Sequence, residues 1–124
     1  MNASQIFKAA HTLTRATIVA GDCYRVNFGA ALRIVRKLAA AGGNLWEKAG
    51  YARIYLDTCA AYGFEYTTYK TGNISTASVR GESISNGRAS SLRTTLQSAK
   101  LWFDLTTGQF GSKGADFSDF IAAA

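Results

Sequence analysis

The sequence predicts an α+β fold: an N-terminal helical hairpin packed on a small, mainly antiparallel sheet, with one further helix. Three observations predict it. Apolar residues over positions 1–40 recur at helical spacing. Gly42-Gly43 stops that pattern. Beyond it come short alternating stretches rich in β-formers, "ARIYLD" (52–57) and "FEYTTY" (64–69).

Each element follows from local chemistry. Asn2 and Gln5 have the spacing of a capping box, and Ile6, Phe7, Ala10, Leu13 and Thr17 then give one apolar face. Gly21-Asp22 interrupts the periodicity, and Asp22 is expected to cap a second helix running to about Ala41. In that helix Tyr24, Phe28, Ala31, Leu32, Val35, Leu38 and Ala39 share roughly a third of the circumference. "TCAAYG" suits one helical turn closed by Gly63, and "NISTASV" and "ESI" flank an Arg80-Gly81 hairpin turn. Ser85 or Asn86 caps a helix whose narrow stripe is Ala89, Leu92, Leu96 and Ala99. "KLWFDLTTGQF" (100–110) reads as two strands around Thr107-Gly108, and "DFSDFIAAA" as one closing turn. Two glycines are too short a linker to separate independent domains. The expectation is a single domain, 1–124, with a helical subregion (1–41) and an α+β subregion (44–124).

At 124 residues, with 48% apolar and 18% charged side chains, the chain can bury one modest core and is not of the disordered, charge-solvated class. Proline is absent, so glycine shapes the loops. The net charge of +6 favours acidic partners: nucleic acid, a nucleoprotein, or an acidic protein face. Cys23 and Cys59 do not make a disulfide scaffold, and both are expected to be small buried hydrophobes. No charged-then-apolar leader and no bilayer-length apolar run is visible, which points to the cytoplasm of a bacterial host cell and to no membrane partner.

"GGNLWEKAGYARIYLD", "YKTGNISTASVRGESISN" and "AKLWFDLTTGQF" resemble a recurrent module in small proteins of prophages, phages and plasmids. "IFKAAHTLTRATIVAGDCYRVNFGAALRIV" resembles the helical segment that often accompanies it. The resemblance covers nearly the whole chain. Those proteins mostly lack an assigned activity. What the resemblance implies is a mobile-element setting, in which small accessory proteins act on nucleic acid or block host defence complexes, anti-CRISPR proteins included.

Catalytic constellations are missing from the sequence. His11 is the single histidine, so a site needing two imidazoles is excluded, and Cys23 and Cys59 form no C-x-x-C pair. No phosphate-binding glycine loop occurs. A Cys–His pair with His11 stays open, because such partners meet only in three dimensions. The expectation is a non-enzyme with no cofactor and no metal.

The positive charge is clustered. Lys8, His11 and Arg15 stack along the first helix. Arg25, Arg33, Arg36 and Lys37 fall within about 120° of the second, away from its aromatic face. The hairpin region adds Lys70 and Arg80, with Arg88 and Arg93 behind it, among Tyr66, Tyr69 and the hydroxyls of Thr71, Ser75, Thr76 and Ser78. Basic helix faces meet phosphate backbones, and rings among cations can stack on unpaired bases. The plainer account is that every helix turns its charges to water, and that Tyr and Thr are ordinary strand formers. The residues expected to contact nucleic acid or a partner are Arg25, Arg33, Arg36, Lys37, Lys70, Arg80 and Arg88. The alternative is an inhibitor docking on a host defence effector by protein contact, anchored by Tyr51, Tyr55, Tyr62 or Tyr69. Trp46 and Trp102 read as core or interface anchors rather than base stackers. The alanine-rich helix faces leave a homodimer open.

Overall fold

Helix α1 (Ala3–Thr17) starts at the capping box: Asn2 Oδ1 accepts from Gln5 N–H at 2.8 Å, and Gln5 Oε1 accepts from Asn2 N–H at 3.0 Å. The computed structural model describes residues 1–124, and the fold is α+β, with five helices and two antiparallel sheets. Two compact units make up the chain: Met1–Leu56 with Trp102–Gly111, and Asp57–Leu101 with Ser112–Ala124.

In the first unit, α1 buries Ala9, Ala10, Leu13 and Thr14, whose hydroxyl bonds back to Ala10 O at 2.7 Å and so is not left unsatisfied. Helix α2 (Tyr24–Ala40) packs against α1 through Ala31, Val35 and Leu38. Asp22 does not cap it. The residue before the helix is Cys23, which makes no side-chain cap bond. Asp22 lies one position too early and closes the preceding turn instead, accepting from Val19 N–H (3.2 Å) and Asn27 Nδ2 (3.0 Å).

Helix α2 ends in a Schellman arrangement. Gly43 N–H bonds Leu38 O at 2.9 Å and Gly42 N–H bonds Ala39 O at 3.1 Å, with Gly42 at φ +85°. The chain then enters β1 (Asn44–Lys48), a strand the sequence reading left out. It turns at Ala49-Gly50 into β2 (Tyr51–Tyr55). Both turn residues have positive φ (49° and 86°), the conformation that matches strand twist in a two-residue hairpin. With β6 (Lys100–Asp104) and β7 (Gln109–Lys113) these strands form a sheet of order β1-β2-β6-β7. Ala52, Ile54, Phe103 and Leu105 are buried on one side of it. Phe103 meets Leu13, Thr17, Ala31 and Ile34 around a shallow apolar recess, so this side faces the helices.

The second unit begins with α3 (Thr58–Tyr62), capped by Asp57 and closed by Gly63 at φ +79°. Strands β3 (Phe64–Thr68), β4 (Ile74–Val79) and β5 (Glu82–Ser83) follow in that spatial order, with Arg80 and Gly81 at positive φ in the last turn. Ser85 caps α4 (Asn86–Ser98), which lies on β4 and buries Ala89 and Leu96. Thr58 Oγ1 donates to Leu96 O at 2.8 Å, tying α3 to α4. Helix α5 (Ser118–Ala123) ends the chain beside α3, where Phe117 meets Tyr62 edge-on.

Gly43 is a point of close approach. A Cβ there would lie 2.6 Å from Ile54 Cγ2 and 2.7 Å from Leu38 O, inside van der Waals contact with a core side chain and a backbone oxygen. Gly43→Ala is expected to lower stability by about 1–3 kcal/mol in urea unfolding. A neutral substitution would show that the helix end does not press on β2.

Candidate functional site

The second side of the first unit's sheet is built by alternation. Residues directly opposite in an antiparallel pair share a face, and the register pairs Trp46 with Arg53, Arg53 with Asp104, Tyr55 with Trp102 and Lys48 with Tyr51. Leu45, Ala52, Ile54 and Phe103 point the other way, toward the helices. The outward face therefore gathers Trp46, Lys48, Tyr51, Arg53, Tyr55 and Trp102.

These side chains form one continuous strip. Trp46 meets Tyr55 edge-on at 5.9 Å between ring centroids, and Tyr55 meets Trp102 at 6.1 Å. The Arg53 guanidinium lies 4.8 Å from the centroid of Trp102 and 5.4 Å from that of Tyr51. Its Nη1 donates to Tyr55 Oη at 3.2 Å. Contacts of this kind contribute about 0.5–2 kcal/mol each, more as they leave water. Trp102 lies over Gly111 of β7, where any Cβ would enter the indole ring. The strip is half-buried at its centre and open at its ends, Trp46 being 39% and Tyr51 57% exposed.

The face carries cations, and its one paired acid is satisfied by its own turn. Lys48 and Arg53 are cations of this face in the first unit, and Arg53 Nε is buried with no hydrogen-bond partner. Asp104, the acid opposite Arg53, is already engaged, accepting from Thr106 N–H at 2.8 Å and Thr106 Oγ1 at 2.6 Å. Partial desolvation pushes its carboxyl upward. The Thr106 hydrogen bonds, the Arg53 charge and the Thr107 N–H together outweigh that and hold it below the usual value.

The residues expected from sequence are distributed differently. Arg25, Arg33, Arg36 and Lys37 are all exposed on α2. They belong to the helical layer of the first unit, which packs on the opposite side of the sheet from the aromatic strip. Arg25, Arg33 and Arg36 take no part in the ion pairs Lys8–Glu47 (3.3 Å) and Arg80–Asp119 (3.1 Å). On α1 the expected basic stripe is partly engaged. Lys8 pairs with Glu47, and His11 stacks on Phe28 at 4.3 Å while its Nδ1 shares a 2.7 Å hydrogen bond with Tyr24 Oη, not with a thiol.

In the second unit Lys70, Arg80 and Arg88 are all exposed. Arg80 pairs with Asp119 of α5 at the surface and sits 5.3 Å from the Tyr62 ring centroid. Arg93 lies over Tyr66 and donates to Gly72 O at 3.1 Å. Thr67 bonds both Ser75 and Thr76, so much of the hydroxyl group reads as internal pairing. Cys23 is exposed rather than buried, and Cys59 is half-buried, its thiol pushed up by burial and by the Asp57 charge. No group of three or more His, Cys, Asp or Glu side chains is placed to hold a metal ion.

Sequence reasoning missed Arg53 and assigned Trp46 and Trp102 to a core or interface. A signal was present: in "YARIY" every second residue is Tyr, Arg, Tyr, while Ala and Ile fill the other face. No family model matches the chain, and no curated protein or solved structure is significantly similar to it.

Two outcomes are expected at this face. Gly111→Ala should displace Trp102, costing about 1–3 kcal/mol and shifting tryptophan emission to the red; an unchanged spectrum would contradict the indole–glycine contact. Asp104 has a folded pKa below its ordinary 3.8, so its contribution is present above that value and is lost as pH falls through the folded one. The stability difference between wild type and Asp104→Asn in urea should therefore be full at neutral pH and shrink below about pH 4. A difference that stays constant across the range would remove the ionised carboxylate from this account.

Proposed function

We propose that the chain is a non-catalytic nucleic-acid-binding protein of a phage or other mobile element. The observation that carries the binding reading is the exposed arc of Arg25, Arg33 and Arg36 on α2, outside the Lys8–Glu47 and Arg80–Asp119 pairs, in a chain of net charge +6. Cations on one helix face neutralise phosphates and release counterions, which supplies affinity without sequence information. Lys37 extends the same arc, and Lys70 and Arg88 add exposed charge in the second unit. The mobile-element setting rests on the sequence resemblance. No helix is long and apolar enough to cross a membrane.

A second reading is an anti-CRISPR-like inhibitor that acts on a host defence effector by protein contact. It draws on Phe7, Tyr24, Val26 and Ile34, all more than a third exposed on the helical hairpin that carries the same arginines. Tyrosine and arginine, both present on this hairpin, are enriched among the residues that dominate protein interfaces.

A salt titration separates the two. Binding to short DNA and RNA should weaken steeply with salt. Arg33→Glu/Arg36→Glu should flatten the slope of log K against log salt by about 1.4–1.8, the loss of two phosphate contacts. Absence of binding at low salt would overturn the nucleic-acid reading.

A further inference from the structure

We infer that the aromatic strip on the first unit's sheet is a stacking site for unpaired nucleobases, so that the nucleic acid engaged is single-stranded. This rests on the nucleic-acid reading above and names its ligand class.

The face is costly to the free protein. A strip from Trp46 through Tyr55 and Trp102 to Arg53 and Tyr51 places large ring surfaces on the side of the sheet away from the helices. Folding does not require rings there, since antiparallel sheets commonly carry polar side chains on the side that faces water. The exposed rings Trp46 and Tyr51 flank the half-buried Tyr55, Arg53 and Trp102, and rings left open at both ends of such a strip are available to a ligand.

The ligand follows from the chemistry of the strip. Every nucleobase has a π-face, and aromatic side chains on a sheet are a recurrent platform for splayed-out bases. Side chains two residues apart along β2, such as Tyr51, Arg53 and Tyr55, are spaced about 6.8 Å, so the strand offers successive planar surfaces rather than one. Arg53 is itself planar and can stack. The charge agrees: Lys48 and Arg53 lie on the face, and Asp104 is engaged by the turn that follows it. A duplex hides its base faces in the stack and leaves this strip nothing to cover it. An open single strand can lay its bases on the rings while its phosphates meet Lys48.

The chain reports on this site directly, because its two tryptophans, Trp46 and Trp102, both lie on the strip. Oligo(dT), oligo(rU) and a mixed-sequence duplex would be titrated at low salt while following tryptophan emission and, separately, anisotropy of labelled nucleic acid. The variants are Trp46→Ala and Tyr51→Ala, both at exposed positions, and Arg33→Glu/Arg36→Glu. Single strands should quench the emission, and each ring deletion should weaken their binding on the order of tenfold while leaving duplex binding unchanged. The DNA and RNA arms show which sugar is preferred. Binding that is lost in the arginine variant, yet leaves emission unquenched and is indifferent to both ring deletions, would overturn the stacking site and keep the proposed function. Equal quenching by duplex would overturn the single-strand assignment. No binding of any nucleic acid would overturn both.

Discussion

The pairing of β2 with β1 on one side and β6 on the other decides, through side-chain alternation, which residues of the first unit are core and which are offered outward. Ala52 and Ile54 face the helices; Tyr51, Arg53 and Tyr55 face away. A slip of one residue would exchange these sets, burying a guanidinium and exposing isoleucine, so the register is strongly held. Gly43 adds to this by bringing the end of α2 down on Ile54, and Gly111 adds to it on the other face by leaving room for Trp102. Core and candidate site are thus two products of one registration.

Much of the fold was legible because its punctuation is local. The Asn2–Gln5 box, the Gly42-Gly43 stop, the Arg80-Gly81 turn and the Ser85 cap need only neighbours a few residues away, and all four stand where their chemistry puts them. Strand β1 escaped notice because "NLWEK" combines weak strand formers with a turn at Ala49, a residue that rarely adopts positive φ. Its strand character comes from pairing with β2, a tertiary cause. Asp22 shows the reverse error, a good capping residue drawn to a nearer backbone N–H.

The site was harder to read because cationic side chains look alike in sequence. Arg80, Arg93 and Arg33 differ only in what surrounds them. Arg80 is bound to Asp119 and Tyr62, Arg93 to Gly72 O and Tyr66, while Arg33 stands on an exposed helix face. The partners of the first two come from residues 39 and 21 positions away, and no helical wheel contains them. Arg53 went unremarked for a related reason: its importance lies in Trp102, which reaches it only through the β2–β6 ladder.

The exposure of Cys23 gives the molecule a practical property. Its companion Cys59 is half-buried, and burial and the Asp57 charge push its thiol up. Cys23 is therefore the more accessible of the two sulfurs to a labelling reagent. A probe attached at Cys23 sits immediately before α2 and its arginine arc, on the opposite layer of the unit from the tryptophans. One native chain thus carries an attachment point on its basic side and intrinsic fluorophores on its aromatic side, so energy transfer from tryptophan to the attached dye becomes a ruler across the unit.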